Sequence, residues 1–342
     1  MKKILLLVAV AIVAIVAFVG WNWFRDNRMP NFGGKTELYV VPGMTAQDVL
    51  DSLSAKTLSM KSLERTFASK QVAEYLTPGY YVVTSRNSSA YVARMLNNGW
   101  QSPVNLTLSG TMRLRDDIAR KISNQLMMDF DTVRKALDDK ELLSEYGFTP
   151  KTVFALFQPD TYQMYWTASM KDVFDKQKAA YDAFWTEEND AKAKKLGLSR
   201  MEVSTLASIV SGESNYKPEL PKIAGVYLNR LRTGMLLQAD PTVAFCFDYK
   251  LNRVLNRHLE VDSPYNTYKY AGLPPGPICV PSRDCLEAVL NPDYGGGNIY
   301  FCANPDFSGT HVFAKTLSEH SANARAFQAE LNRRARQSRA KK

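Results

Sequence analysis

The chain has 342 residues, of which 45% are hydrophobic and 23% are charged, so it can build one large or two smaller cores and is not a wholly disordered protein. Its net charge of +9 favours acidic partners such as an anionic polymer or an anionic lipid surface. No zinc-finger spacing, RNP-like motif or Walker loop occurs, so we expect no nucleic-acid partner.

The N-terminus predicts a membrane anchor. Two lysines precede an uncharged stretch from Ile4 to Phe24, which is long enough to cross the roughly 30 Å hydrocarbon core as a helix. Trp21 and Trp23 fit the aromatic belt of a membrane interface. A cleaved signal peptide is the alternative, but the apolar run is long for one and no small-x-small site ends it. We therefore predict an uncleaved anchor over residues 1–24, oriented N-in and C-out.

Short strand–helix patterns follow a predicted linker over residues 25–36. Leu38–Val41 resembles a strand, and Thr45 can cap the helix that comes after it. Two similar units follow: a strand at Tyr80–Val83 with a helix at about Ser89–Leu96, and the alternation Val104, Leu106, Leu108 with a helix carrying Leu114 and Ile118. This order resembles LysM-type wall-binding modules. We predict a LysM-like α/β domain over residues 37–150, as one module or two units.

The rest of the chain predicts a mixed α+β domain over residues 151–335, so that the fold class as a whole is α+β. A loop at Phe157–Tyr162 is expected to separate it from the first half. The expected elements are a helix from Met170 to about Trp185, a charged helix or loop at Glu187–Lys195, a helix at about Lys222–Arg232, a strand at Tyr300–Phe301 and a closing helix from Ser318 to about Arg334. After Pro241 we expect loops and short strands lining a cleft, and residues 336–342 form a basic tail.

The best-defined helix leads to Glu213. Ser199 and Glu202 form a capping box, and apolar residues then repeat at helical spacing. Glu213 lies near the apolar side and at the C-terminal end of this helix, and both positions disfavour the carboxylate. A raised pKa would suit a general acid that protonates a glycosidic oxygen. Spacing alone, however, favours a plain surface glutamate at a helix end.

Other chemistries fit less well. No GxSxG nucleophile elbow occurs. The four cysteines, Cys246, Cys279, Cys285 and Cys302, lack CxxC spacing, and with only three histidines a zinc site is not expected. Outside the membrane these cysteines can form disulfides of unknown connectivity, or they can stay free thiols. His311 and His320 are interpreted as structural or polar cleft residues.

The run Leu206–Glu213 resembles the catalytic segment of the YceG-like (MltG) family of endolytic murein transglycosylases. Further family motifs follow in order: Tyr227–Met235, Leu237–Val243, Tyr265–Tyr268, Gly272–Pro277, and then Tyr300-Phe301 with His311–Phe313. The resemblance covers essentially the whole chain and reverses the odds against Glu213. One departure is that the family commonly has Glu-x-Glu where this chain has Ser211-Gly212-Glu213. The second acidic position, which the resemblance makes the catalytic one, is kept.

The resemblance implies a membrane-anchored lytic transglycosylase that cleaves the MurNAc–GlcNAc bond in nascent peptidoglycan strands. Glu213 would act as acid and then as base, forming 1,6-anhydroMurNAc ends and limiting strand elongation, with no metal or cofactor. It implies a single-pass protein of the bacterial inner membrane, with its catalytic domain in the periplasm and with peptidoglycan synthases as candidate partners. A non-catalytic peptidoglycan-binding scaffold and a hydrolytic muramidase stay as alternatives.

The cleft of such an enzyme must hold a sugar chain. The amide, hydroxyl, carboxyl and ring groups in the motifs that resemble the family are suited to binding sugars. The predicted substrate-binding residues are Asn229, Gln238, Asp240, Thr242, Tyr265, Asn266, Thr267 and Tyr268. Each of them can equally be a structural hydrogen-bonding residue, and Asp240 can cap a turn or orient Glu213.

Overall fold

The structure is a computed structural model that describes residues 2–340, and its α+β chain divides into two compact units. The first unit consists of the chain up to Leu106 together with Asn124–Met128 and Tyr162–Ser169. The second consists of Thr107–Ser123, Asp129–Thr161 and the chain from Met170 onwards. The division therefore falls at Leu106 as well as near residue 160, and the predicted domain boundaries at residues 36 and 150 stay a prediction.

The first unit begins with α1 (Lys2–Arg28), a helix long and apolar enough to cross a membrane, as the sequence predicted. Asp26 is the one buried residue of α1. Its carboxylate accepts hydrogen bonds from Ser62 at 2.6 Å and from the Arg65 guanidinium at 2.7 and 2.8 Å. These bonds continue the helix beyond its apolar part, so the start of the predicted linker is helical.

The remaining elements of the first unit are β1 (Thr36–Val40), α2 (Ala46–Ser54), α3 (Met60–Ser69), α4 (Val72–Tyr75), β2 (Gly79–Val83), α5 (Ser89–Asn97), most of β3 (Pro103–Leu108) and most of β4 (Asp160–Tyr165). Of these elements, β1, α2, β2, α5 and β3 agree with the predicted strands and helices, whereas α3, α4 and β4 were not predicted. β1 and β2 are antiparallel, with Thr36 opposite Val83 and Val40 opposite Gly79. Thr45 caps α2, as predicted, and Asp48 completes a capping box with it. The apolar faces of β1, β2 and α2 to α5 form one core, so the unit has a hydrophobic centre of its own.

β3 and β4 pair in a second two-stranded sheet. The expectation of a loop through Tyr162 was therefore wrong, because Asp160–Tyr165 is a strand. Its partner strand lies far away in sequence, and local composition carried no signal for the pairing.

The second unit is mainly helical. Its elements are α6 (Arg115–Ser123), α7 (Phe130–Ala136), α8 (Lys140–Glu145), α9 (Val153–Leu156), α10 (Met170–Phe184), α11 (Glu187–Leu196), α12 (Arg200–Glu213), α13 (Leu220–Arg232), α14 (Asp240–Cys246), α15 (Arg283–Leu290), β5 (Tyr300–Ala303), β6 (His311–Ala314) and α16 (Leu317–Ala340). β5 and β6 form an antiparallel pair. The predicted basic tail is helical as far as Ala340, and Lys341 and Lys342 lie outside the described residues.

α12 is the central helix of the second unit. Ser199 caps it, and the predicted capping box with Glu202 is present. Every residue from Val203 to Val210 is buried, because α13, α14 and α15 all pack against this helix. The burial of a whole helix circumference fixes its axis and therefore the position of its last residue, Glu213.

Candidate active site

Glu213 lines a cavity of about 340 Å³. The residues that line this first cavity with it come from α13, the α13–α14 connection, the start of α14, the 247–282 segment, β5 and α16: Tyr227, Arg230, Gln238, Asp240, Tyr268, Tyr300, Phe301, Leu317 and His320. The helix ends at Glu213 because Ser214 adopts extended backbone angles. The last side chain of α12 can therefore face open space instead of another turn of helix.

Gly212 explains how the end of α12 approaches α14. A Cβ atom at Gly212 would lie 2.5 Å from Cβ and 2.8 Å from Cγ of Pro241, too close for any larger residue without a shift. The glycine therefore permits close packing, and the helix continues through it to Glu213.

Tyr227 holds the carboxyl group of Glu213. The tyrosine hydroxyl donates a hydrogen bond of 2.5 Å to Oε1 of Glu213. The ring is buried and packs edge-on against Phe301, with centroids 5.8 Å apart. Burial and the neighbouring Glu213 raise the pKa of Tyr227 well above its ordinary value, so its hydroxyl keeps its proton. Since Oε1 accepts this hydrogen bond, the proton of a neutral Glu213 is directed to Oε2.

The pKa of Glu213 is raised from 4.5 to about 7, mainly because burial disfavours the charged form. The Tyr227 hydrogen bond opposes this shift, the negative charge of Asp240 adds to it, and the positive charge of Arg230 opposes it. The carboxyl group is thus divided between its acid and base forms near neutral pH. A group that first gives and then takes a proton requires this balance.

Arg230 connects two walls of the first cavity. Its Nε donates to the carbonyl of Ile299 at 2.7 Å, and its Nη1 donates to the carbonyl of Leu237 at 2.7 Å. The guanidinium also lies 5.4 Å from the ring centroid of Tyr300. The side chain is buried and satisfied by the backbone, so it fixes the cavity and keeps a positive charge near Glu213.

Three of the eight predicted substrate-binding residues line the first cavity: Gln238, Asp240 and Tyr268. The hydroxyl of Tyr268 donates a 2.6 Å hydrogen bond to Oδ1 of Asp240, and burial together with this bond raises the pKa of Tyr268. Gln238 has a φ of 49°, and its N–H donates to the carbonyl of Thr267 at 3.0 Å. An amide at Gln238, a carboxylate at Asp240 and a phenol at Tyr268 therefore face the same space as Glu213.

The other five predicted residues do not line this cavity. Thr242 and Thr267 are buried, with their hydroxyl oxygens 2.8 Å apart. Asn266 donates to the carbonyls of Leu259 and Val261, both at 2.8 Å. Asn229 donates to the carbonyl of Asn298 at 2.9 Å, and the ring of Tyr265 packs on Phe245 with centroids 4.7 Å apart. Their polar groups and rings hold irregular segments of chain in place.

Tyr227, Arg230 and Leu317 line the first cavity but were not predicted from the sequence as site residues. Tyr227 and Arg230 are three residues apart on α13, so they share one face of that helix, and this spacing was the one available signal. His320 lines the cavity, in agreement with the interpretation as a cleft residue, and stacks on Tyr300 at 5.1 Å. Burial lowers the pKa of His320, so the imidazole is neutral at neutral pH.

The four cysteines carry free thiols, and Cys279 and Cys285 are buried. Within residues 2–340, no three or more His, Cys, Asp and Glu side chains come together in a way that could hold a metal ion.

The chain matches the profile of the YceG-like family over residues 38–326, and it belongs to that family. It is 37% identical over 203 residues to a Bacillus subtilis protein named endolytic murein transglycosylase, a match that covers 58% of this chain and 52% of that protein. It is 26% identical over 355 residues to the Streptococcus pneumoniae D39 protein of the same name, covering 93% of this chain and 63% of that protein. The chain thus spans between about half and two thirds of the length of these curated relatives.

A solved structure resembles most of this chain. The crystal structure of a yceG-like protein from Listeria monocytogenes superposes with a TM-score of 0.54 at 27% sequence identity. The similarity covers 84% of this chain and 98% of the Listeria chain.

Proposed function

We propose that this chain is an endolytic lytic transglycosylase that cleaves the MurNAc–GlcNAc bond in nascent peptidoglycan strands and so limits strand elongation. The observation that carries the proposal is Glu213, a cavity-lining carboxyl whose pKa of about 7 allows it to be acid and base in turn. Membership of the YceG-like family and the name shared by the curated relatives support this activity.

In the first step, the Oε2 proton of Glu213 passes to the glycosidic oxygen as the bond from that oxygen to the MurNAc anomeric carbon breaks. The positive charge that develops at the anomeric carbon is stabilised by the N-acetyl group of the substrate. Tyr227 holds Oε1, so the proton already faces away from that hydrogen bond before the substrate arrives. The orientation reduces the reorganisation that proton transfer requires.

In the second step, the C6 hydroxyl of the same MurNAc attacks the anomeric carbon, and Glu213, now a carboxylate, accepts the hydroxyl proton. The products are a 1,6-anhydroMurNAc end and a new GlcNAc hydroxyl, and no water is consumed. Because the attacking hydroxyl is tethered to the reacting ring, its effective concentration is high. One carboxyl group therefore suffices, and no step calls for a metal or cofactor.

A hydrolytic muramidase is the second candidate, and Asp240 is the observation that favours it. Hydrolysis of a glycosidic bond commonly uses two carboxyl groups, and Asp240 lines the same cavity as Glu213. The hydrogen bond from Tyr268 occupies Oδ1 of Asp240, which favours an electrostatic role over that of a base. A non-catalytic scaffold is disfavoured, because a binding site has no need of a carboxyl group whose pKa is raised to about 7.

We also propose that α1 anchors the enzyme as a single span of the inner membrane, with the catalytic domain in the periplasm. The length and composition of α1 and the exposure of its apolar side chains support an anchor. We further propose a LysM-like domain over residues 37–150, supported by the antiparallel pair of β1 and β2 with three helices between them in sequence. Peptidoglycan synthases are the proposed partners, since strand length is set where strands are made.

The test is mass spectrometry of muropeptides from uncrosslinked glycan strands, incubated with the full chain, with Glu213→Gln and with Glu260→Gln as an exposed control. Glutamine keeps an acceptor for Tyr227 but cannot donate or accept the catalytic proton. Anhydro ends from the wild type and the control, and none from Glu213→Gln, support the transglycosylase. Reducing ends would indicate the muramidase, no product would indicate the scaffold, and undiminished anhydro ends from Glu213→Gln would exclude Glu213 as the acid.

A further inference from the structure

Glu213 lines a second cavity besides the first. This second cavity has a volume of about 450 Å³, and among the residues that the structure describes Glu213 alone lines both. Its walls come from the end of α12, from the connections that follow β3 and α12, and from the β5–β6 connection. They include Arg113, Ser211, Asn215 and Tyr216. A chain-like ligand that passes Glu213 therefore has space to continue in two directions.

The second cavity continues into a third of about 280 Å³. The two share five lining residues: Arg113, Ser211, Gly212, Ser214 and Asn215. We call the second and third cavities together the Arg113 groove. The groove is formed entirely within the second compact unit.

Tyr249 positions the guanidinium of Arg113 in this groove. The guanidinium carbon lies 4.9 Å from the ring centroid of Tyr249, which lines the third cavity. The Tyr249 hydroxyl donates to the carbonyl of Ile278 at 2.8 Å, and the N–H of Ile278 donates to Oγ of Ser208 on α12 at 3.0 Å. Arg113 is thus placed relative to the helix that carries Glu213.

Arg113 brings a positive charge to the groove. Lys217 and Asp284, which also line it, form an ion pair of 2.8 Å and neutralise each other. Within the described chain, the guanidinium of Arg113 forms no ion pair and is exposed. The other groups next to it are the hydroxyls of Ser211 and Ser214 and the amide of Asn215, which suit sugars. Tyr216, 50% exposed, offers a ring face at the edge.

We propose that the Arg113 groove binds the glycan strand on the side of the scissile bond opposite to the first cavity, and that Arg113 binds a carboxylate of that strand. The inference rests on the proposed function, because cleavage within a strand requires sugar on both sides of the bond. Carboxylates occur in two places on such a strand, on the stem peptide and on the lactyl group of a MurNAc that has lost its peptide. A guanidinium on a fixed ring is suited to bidentate binding of either.

Binding is measured first, in the full chain with Glu213→Gln so that no strand is cut. The ligands are uncrosslinked strand fragments with intact stem peptides, the same fragments with every carboxylate converted to a methylamide, and fragments freed of peptides by an amidase. Arg113→Ala should weaken binding of the intact fragments about tenfold, as expected for loss of a hydrogen-bonded charge pair. It should leave binding of the methylamide fragments unchanged, and Arg113→Lys should restore part of the affinity.

Arg325→Ala is the matched control, because Arg325 is an exposed arginine of the same unit that lines neither the first cavity nor the groove. Equal affinities of Arg113→Ala and Arg325→Ala for intact fragments would overturn the proposal. An effect that persists on peptide-free fragments assigns Arg113 to the lactyl carboxylate, and an effect that disappears assigns it to the stem peptide.

Turnover by the chain with Glu213 intact separates this inference from the proposed function. If anhydro ends form at the same KM with and without Arg113, the groove proposal fails and the transglycosylase stands. If no ends form, but binding of intact fragments still depends on Arg113, the enzymatic proposal fails and the carboxylate site stands.

Discussion

Two glutamates flank the turn between α12 and α13, and their surroundings differ. Glu213 faces a cavity, accepts one hydrogen bond, from Tyr227, and has a pKa raised to about 7. Glu219 is 7% exposed and has both carboxylate oxygens occupied, by the N–H of His311 at 2.8 Å and by His311 Nδ1 at 3.0 Å. A carboxyl group whose partners are complete stabilises the fold, whereas one left partly unpaired beside a cavity is available for chemistry.

The second glutamate also supports the first. Glu219 binds the first residue of β6, and the ring of His311 packs edge-on against Phe301 with centroids 5.3 Å apart. Phe301 in turn packs edge-on on Tyr227, which holds Glu213. Glu213 is thus the proposed reacting group. Glu219 instead helps to position Tyr227, the residue that holds Glu213.

The largest expected difference between the two glutamates is in activity. Glu213→Gln should lower the release of anhydro ends at least about 100-fold, because general acid catalysis contributes about 100- to 10,000-fold. Glu219→Gln should lower it by less than about tenfold, because it removes support and not the acid. Equal losses of activity from the two variants, with both still folded by circular dichroism, would contradict the different roles given to the two glutamates.

For stability we expect the reverse order, with a larger loss from changing Glu219 than from changing Glu213. Glu219→Ala leaves the donors of His311 without their acceptor, and we expect it to lower the free energy of unfolding by about 2 kcal/mol. The measurement is denaturant unfolding of the full chain in detergent. His311→Ala should cost a similar amount, and the double variant should cost less than the two together, since both remove one interaction. Additive losses would show that Glu219 and His311 act separately.

The ionisation of Glu213 should itself cost stability. The pKa of this carboxyl is about 7 in the folded protein, and its ordinary value of 4.5 applies to the unfolded chain. Between these two pH values the folded state therefore holds a proton that the unfolded state has lost. Stability should therefore be fully present below pH 4.5, fall as pH rises to about 7, and stay lower above it. We expect about 1–2 kcal/mol after allowing for solvent in the cavity.

Glu213→Gln removes this ionisation. It should raise the free energy of unfolding at pH 8 relative to the wild type and leave it unchanged at pH 4, whereas Glu219→Gln should show no such gain. Parallel pH–stability curves for the wild type and Glu213→Gln would contradict the raised pKa.

The smallest expected effect is a shift in the alkaline limb of the pH–rate profile. The wild-type rate should fall above about pH 7 as Glu213 loses its proton. Asp240→Asn removes a negative charge that raises the pKa of Glu213, so the limb should move to lower pH by about half a unit. Tyr227→Phe removes a hydrogen bond that lowers this pKa, so the limb should move to higher pH. Shifts in the same direction would contradict the electrostatic description.

Much of the fold could be predicted where the signal is local. The cap at Thr45, the capping box at Ser199 and the apolar helix α1 were recognised from neighbouring residues. α15 was missed, because eight residues within a segment rich in Pro, Gly, Tyr and Asn carry a weak helical pattern. β4 was missed, because its pairing with β3 depends on residues distant in sequence.

The site could be predicted less completely than the fold. Glu213 was identified, but its bond to Tyr227 depends on how α13 lies against α12, which spacing along one helix does not contain. Polar residues of irregular segments are ambiguous for another reason. Thr242 and Asn266 satisfy backbone groups that have no ladder partner, and from the sequence such residues look the same as ligands for a sugar.

The residues that line the first cavity are also synthesised in a fixed order. Among the residues that line the first cavity, Glu213 comes first along the chain, and Leu317 and His320 at the start of α16 come last. A ribosome therefore finishes the acid long before it finishes the pocket. A chain interrupted before α16 would carry Glu213 without the wall that completes its surroundings. The first cavity is thus complete only when the start of α16 has been synthesised.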